Sequence, residues 1–79
     1  MRFEIATVSH HPTEPKPTQY TDTFIVEADD AVSACEFHAH SHYITFVRMW
    51  PMPPNRLQAW TPQHTRFTFT ATPVDGGAG

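Results

Sequence analysis

The chain has 79 residues, a formal net charge of −3, 39% hydrophobic, 16% charged and 13% aromatic residues. That length holds one domain burying roughly 60% of its unfolded surface, which leaves no room for a large solvent-filled catalytic cavity, and the charged share is too low for a disordered chain. The acidic balance argues against a general nucleic-acid binder, and the single cysteine, Cys35, excludes an intramolecular disulfide and a multi-cysteine zinc site.

Residues 2–9 are rich in β-formers and alternate weakly, which predicts a first strand. Glu4 stands where a signal peptide would need an apolar run, and no stretch approaches the roughly 20 apolar residues that span a bilayer. The expected location is therefore the cytosol. Pro12, Pro15 and Pro17 make residues 10–19 an extended loop. Residues 20–28 predict a second strand with Phe24, Val26 and Ala28 on one face.

Asp29 or Asp30 then serves as helix N-cap, and Ala28, Val32, Cys35 and Ala39 fall at helical spacing as one apolar stripe. His38 and His42 are expected near the solvated helix end. Residues 43–50 predict a third strand, 51–55 a stiff proline-rich connection, 56–61 a fourth strand, 62–64 a turn and 65–72 a fifth strand. In the fifth, Phe67, Phe69 and Ala71 oppose Arg66, Thr68, Thr70 and Thr72, a half-buried pattern. Residues 1–72 form one expected domain and 73–79 a flexible tail.

The expected fold class is α+β: a five-stranded antiparallel sheet in the order second, first, third, fourth, fifth, with one helix packed on one face. One helix cannot cover five strands, so part of the sheet stays open, and function is expected on outer surfaces.

Candidate chemistry is sparse. His38 and His42 are four residues apart on a helix and can share a metal only with a third ligand such as His10, His11, His64 or Glu36; the spacing matches no recognised zinc pattern. No metal and no cofactor is expected. Ser9, Ser33 and Ser41 lack a nucleophile-elbow context, and Cys35 lies on the apolar stripe as a packing residue. The glycines all lie in the tail, so there is no phosphate-binding loop. The chain is expected not to be an enzyme.

Two surfaces remain. Asp29, Asp30 and Glu36 offer an acidic edge to a basic partner. Arg56, Gln58 and Trp60 point outward with Arg66 if Phe67 and Phe69 face the helix. Arg48 and Trp50 join them in one phase of the third strand. That phase also exposes Ile44 and Phe46 unless a bulge intervenes. Arginines interleaved with tryptophans anchor protein interfaces or stack on bases.

With its size, its acidity, the helix in the run from Val26 to Cys35 between strands, and no catalytic set, the chain resembles the small anti-CRISPR proteins of phages and other mobile elements that act on type I surveillance complexes. Those proteins share no common motif, so no residue role carries over by position. The resemblance implies a stoichiometric inhibitor that docks on an effector subunit and stops target DNA from binding or the nuclease from being recruited, by steric occlusion rather than DNA mimicry, in the host cytosol if the chain is phage-encoded; monomer and homodimer both stay open. Single-stranded nucleic-acid binding on the sheet and metal binding by His38 and His42 are the alternatives.

Overall fold

Three long runs that bury every second side chain set the architecture of the computed structural model, which describes residues 1–21, 23–41 and 44–74. β1 (Arg2–His10) turns Phe3, Ile5, Thr7 and Ser9 inward. Further along the chain, β5 (Arg56–Trp60) contributes Leu57 and Ala59 to the core, and β6 (Arg66–Pro73) contributes Phe67, Phe69 and Ala71. β2 (Thr18–Gln19), β3 (Phe24–Glu27) and β4 (Arg48–Met52) complete a six-stranded sheet, and α1 (Ala31–His40) packs on its inner face. The fold is α+β with every strand pairing antiparallel.

The strand order is β2-β1-β6-β5-β4, with β3 continuing the β2 edge along β1. This corrects the expected order. The first strand pairs with the last, and the strand after the helix lies at the far edge. Two physical features decide it. β4 contains Pro51, which has no N–H to donate, so β4 belongs at an edge. β6 offers eight residues in continuous register with β1, from Phe3↔Pro73 to His10↔Arg66, and bonds β5 on its other side.

The strand expected over 20–28 is confined to β3, and β2 forms instead at the end of the expected loop 10–19, which gives six strands where five were expected. β2 and β3 both pair with β1, but the register slips by two residues between Val8↔Gln19 and Ile5↔Phe24. Tyr20 spans the slip: its N–H donates to the Thr7 carbonyl at 3.1 Å and its ring stacks 6.3 Å from Phe67. The strand expected over 43–50 begins only at Arg48; Tyr43 lies outside the described residues. Distance explains the shortening. From β3 to β4 is four strand spacings, roughly 19 Å, whereas a ten-residue helix covers about 15 Å. Residues 44–46 complete the crossing, and Val47 meets β5 just ahead of β4.

Asp30 caps α1. Its backbone is extended (φ −146°, ψ 171°) and its Oδ1 accepts the Ser33 N–H at 2.8 Å. Without a glycine, the helix ends at Ser41, whose Oγ donates to the Phe37 carbonyl at 2.9 Å. The buried helix residues are Ala34, Cys35, His38 and Ala39, so the stripe is rotated from the expected one and Val32 is only half-buried. His38, expected in solvent, is buried between two rings: Phe24 at 5.0 Å and the edge of Phe69 at 5.4 Å. Phe46 closes the other side, edge-on to Phe67 at 5.5 Å and to Phe69 at 6.0 Å.

β6 runs through Pro73, and the Val74 N–H donates to the Arg2 carbonyl at 2.9 Å, so pairing extends past the expected domain end. Residues 75–79 of the expected tail lie outside the described residues.

Two outcomes follow from the packing. Phe69→Ala removes a fully buried ring and costs about 3–5 kcal/mol, against a total of roughly 4–12 kcal/mol for a domain of this size; its urea midpoint falls by about a quarter or more, and a smaller loss refutes the central place given to Phe69. Asp30→Ala melts at lower temperature than Asp29→Ala at neutral pH. The Ser33 hydrogen bond holds the Asp30 carboxyl below its ordinary value of 3.8. A depressed carboxylate contributes stability above its unfolded value and loses it as pH falls. The gap between wild type and Asp30→Ala therefore closes in melts below that pH.

Candidate interaction surface

Side chains that point away from α1 line up across the strands. Arg48 pairs with Trp60, Trp60 with Arg66 and Arg66 with His10, one row over four strands. The next row is Trp50, Gln58, Thr68 and Val8, and the third is Met52, Arg56, Thr70 and Ala6. Parity places all of them on the face opposite the core, because their sequence neighbours Leu57, Ala59, Phe67, Phe69 and Thr7 are buried.

Arg48 joins two of these rows. Its guanidinium carbon lies 5.3 Å from the Trp50 ring centroid and 5.0 Å from that of Trp60, within cation–π range of both. Trp50 stays 54% exposed, a large apolar surface on an edge strand. Among the described residues, Arg48, Arg56 and Arg66 are ion-paired to no carboxylate. Arg66 Nε and His10 Nδ1 are buried without a hydrogen-bond partner. The carboxylates on this side, Glu4 and Glu27, lie toward the far end, paired in register with Ile25 and Arg2. The face is thus basic and aromatic at the β4–β5–β6 end and mixed at the other.

Arg48, Trp50, Arg56 and Trp60 come together as expected in the phase that turns Arg48 outward. The chain avoids exposing Phe46 in that phase because residues 44–47 are not strand: Phe46 turns into the core and the Val47 N–H donates to the Trp60 carbonyl at 2.8 Å before β4 begins. Asp29, Asp30 and Glu36 are not part of this surface. They sit at and on α1, across the sheet, with Asp30 engaged as the cap. Sequence parity had placed Arg66 outward but His10 only as a stray ligand. His10 shares the parity of Arg2, Glu4 and Ala6, which is the signal that would have found it.

The remaining candidates have other surroundings. Among the described residues no three His, Cys, Asp or Glu side chains converge on one point, and His42 lies outside those residues. His11 Nδ1 is 3.2 Å from Thr65 Oγ1, and His64 occupies a turn with φ of 69°. Ser9 Oγ is 3.3 Å from the Tyr20 hydroxyl, and Ser33 and Ser41 serve the helix ends. Cys35 is fully buried, with Sγ directed at the Phe69 carbonyl (3.6 Å) and the Asn55 carbonyl (3.7 Å). A concavity of about 270 Å³ lies at the β4–β5 turn, lined by Met52, Pro53, Pro54, Asn55 and Arg56. Among the described residues no helix is long and apolar enough to cross a membrane.

The chain matches no protein-family model, no curated protein and no solved structure.

Burial pushes the Cys35 thiol from its ordinary 9.0 up to about 11, and the Glu36 carboxylate adds to the shift. An acid with a raised folded-state value contributes stability below its unfolded value and loses it as pH rises. Wild type therefore loses stability between about pH 9 and 11 relative to Cys35→Ala. At neutral pH the thiol reacts with a disulfide reagent only at the unfolding rate. Immediate labelling of folded protein would contradict this burial.

Proposed function

We propose that this chain is a non-catalytic binding protein that engages a protein partner through the Arg48–Trp50–Arg56–Trp60 face of its sheet. The observation that carries the reading is the Arg48 guanidinium held between two indoles on an otherwise open face. Arg and Trp dominate the energetics of protein interfaces, and here both are held in place before any partner arrives. The acidic group on α1 supports it less, since Asp30 is already used within the fold. Following the resemblance to anti-CRISPR proteins, the proposed action is occlusion of a type I effector complex, with no cofactor required.

A second reading rests on the same unpaired arginines and the exposed Trp50: single-stranded nucleic acid stacked on the sheet. It requires binding that weakens steeply with salt and quenches tryptophan fluorescence; a flat oligonucleotide titration at low salt removes it.

The test of the first reading is plasmid transformation into cells whose type I CRISPR system targets that plasmid. Expression of the wild-type chain restores transformation. The double variant Arg48→Ala, Trp50→Ala loses the rescue, because truncating one interface anchor costs about 2 kcal/mol, roughly 30-fold in affinity. Asp29→Ala with Glu36→Ala retains it. No rescue by the wild type ends the inhibitor reading, and rescue that survives the Arg48, Trp50 double variant moves the contact off this face.

A further inference from the structure

The identity of what this face binds rests on the reading that the face is the contact surface. We infer that it takes an extended peptide segment bearing carboxylates at positions i and i+4 around a central apolar side chain.

Size is the first reason. Arg48 and Arg66 flank Trp60 two strand spacings apart, roughly 10 Å, and Arg56 lies four residues from Trp60 along β5, roughly 13 Å. A patch of that extent is far below the roughly 800 Å² per side of a stable domain–domain interface. It matches one extended segment of about five residues, which spans roughly 16 Å.

Placement of the cations is the second. Arg48 is held by two indoles, and Arg66 has its Nε buried without a hydrogen-bond partner, in register between Trp60 and His10. Neither is ion-paired within the described residues, so little side-chain ordering remains to be lost when an anion arrives. Carboxylates meet guanidinium groups in a charge-assisted, often bidentate geometry.

Periodicity supplies the pattern. Side chains on one face of an extended peptide recur every second residue. One acidic residue falls at the Arg48–Arg66 row, an apolar residue at i+2 meets Trp50 and Gln58, and a second acidic residue at i+4 reaches Arg56.

Against a nucleic acid, the Arg48 guanidinium already covers one face of both indoles, and a base would have to displace it. The net charge of −3 and the carboxylates of Glu4 and Glu27 farther along the same side also oppose a long polyanion.

The test uses the full chain and its tryptophan fluorescence, since both tryptophans lie on this face. The probes are the capped peptide Gly-Glu-Ser-Leu-Ser-Glu-Gly, its counterpart with Gln for both Glu, and an eight-nucleotide oligo-dT. The acidic peptide gives a saturable change, and the Gln peptide binds about tenfold more weakly or worse. Arg66→Gln and Arg56→Gln each weaken the acidic peptide by about fivefold or more, with thermal melts showing both variants folded. Arg56 is exposed, so its variant reports even if Arg66→Gln fails to fold. Absence of saturation, equal affinity for the Gln peptide, or tighter binding of oligo-dT overturns the inference. Failure of the contact-surface reading registers separately, as transformation rescue that is insensitive to Arg48→Ala with Trp50→Ala.

Discussion

Ala34, Cys35 and Ala39 are small enough to let the backbone of α1 approach β6, and Phe69 fills the space they leave. The ring is fully buried, meets His38 and Phe46 edge-on, and its carbonyl receives the Cys35 thiol. Aromatic pairs at these separations add to the area they bury. In a chain with one helix and one sheet, this contact is where the two layers are held together. Its geometry sets the rest: the helix packs over β1, β3, β5 and β6, and among the described residues no element covers the opposite face of the sheet.

That arrangement also disposes of the sheet edges. An exposed strand edge invites pairing with another chain. On one side the two-residue slip between β2 and β3 breaks the edge into short pieces; on the other, Pro51 removes a donor from β4. Backbone recognition by strand addition is thereby blunted at both ends. Surface chemistry is left to side chains on the uncovered face, which is where Arg48, Trp50 and Trp60 stand.

How much of this was legible in the sequence depends on the range of the interactions that decide each element. Period-two alternation located β1, β5 and β6 to within a residue or two, because each strand's burial pattern is set by its own side chains. The helix cap was legible to one of two residues, Asp29 or Asp30, and the structure uses Asp30. Strand order was not. It depends on which long strands match in length and on the consequence of Pro51, a signal present in the sequence but assigned to a connecting segment. Residues 43–50 look like strand throughout because aromatic and β-branched residues favour strands; the length of the helix crossing overrides that preference. His38 was misplaced because an imidazole reads as a surface group until two rings are found to enclose it. The outward Arg–Trp group was readable by parity once the phase at Arg48 was chosen, and only the non-strand geometry of 44–47 resolves that phase.

The net charge of −3 is a poor guide to what the surface attracts, because the charges are segregated. Arg48, Arg56 and Arg66 share the outer side of three adjacent strands, while Asp29, Asp30 and Glu36 accompany the helix on the other side of the sheet. A layer packed on a sheet stands roughly 10 Å behind it. A partner touching the outer face therefore meets the arginines at contact and the helix carboxylates only at a distance. The same segregation separates two kinds of anion. A long polyanion must also pass Glu4 and Glu27, whereas a short acidic segment confined to the β4–β5–β6 end meets cations, indoles and neutral side chains but no carboxylate among the described residues. For the proposed contact, selectivity between them would then rest on ligand length and shape as much as on charge, because the helix packs on the other face of the sheet.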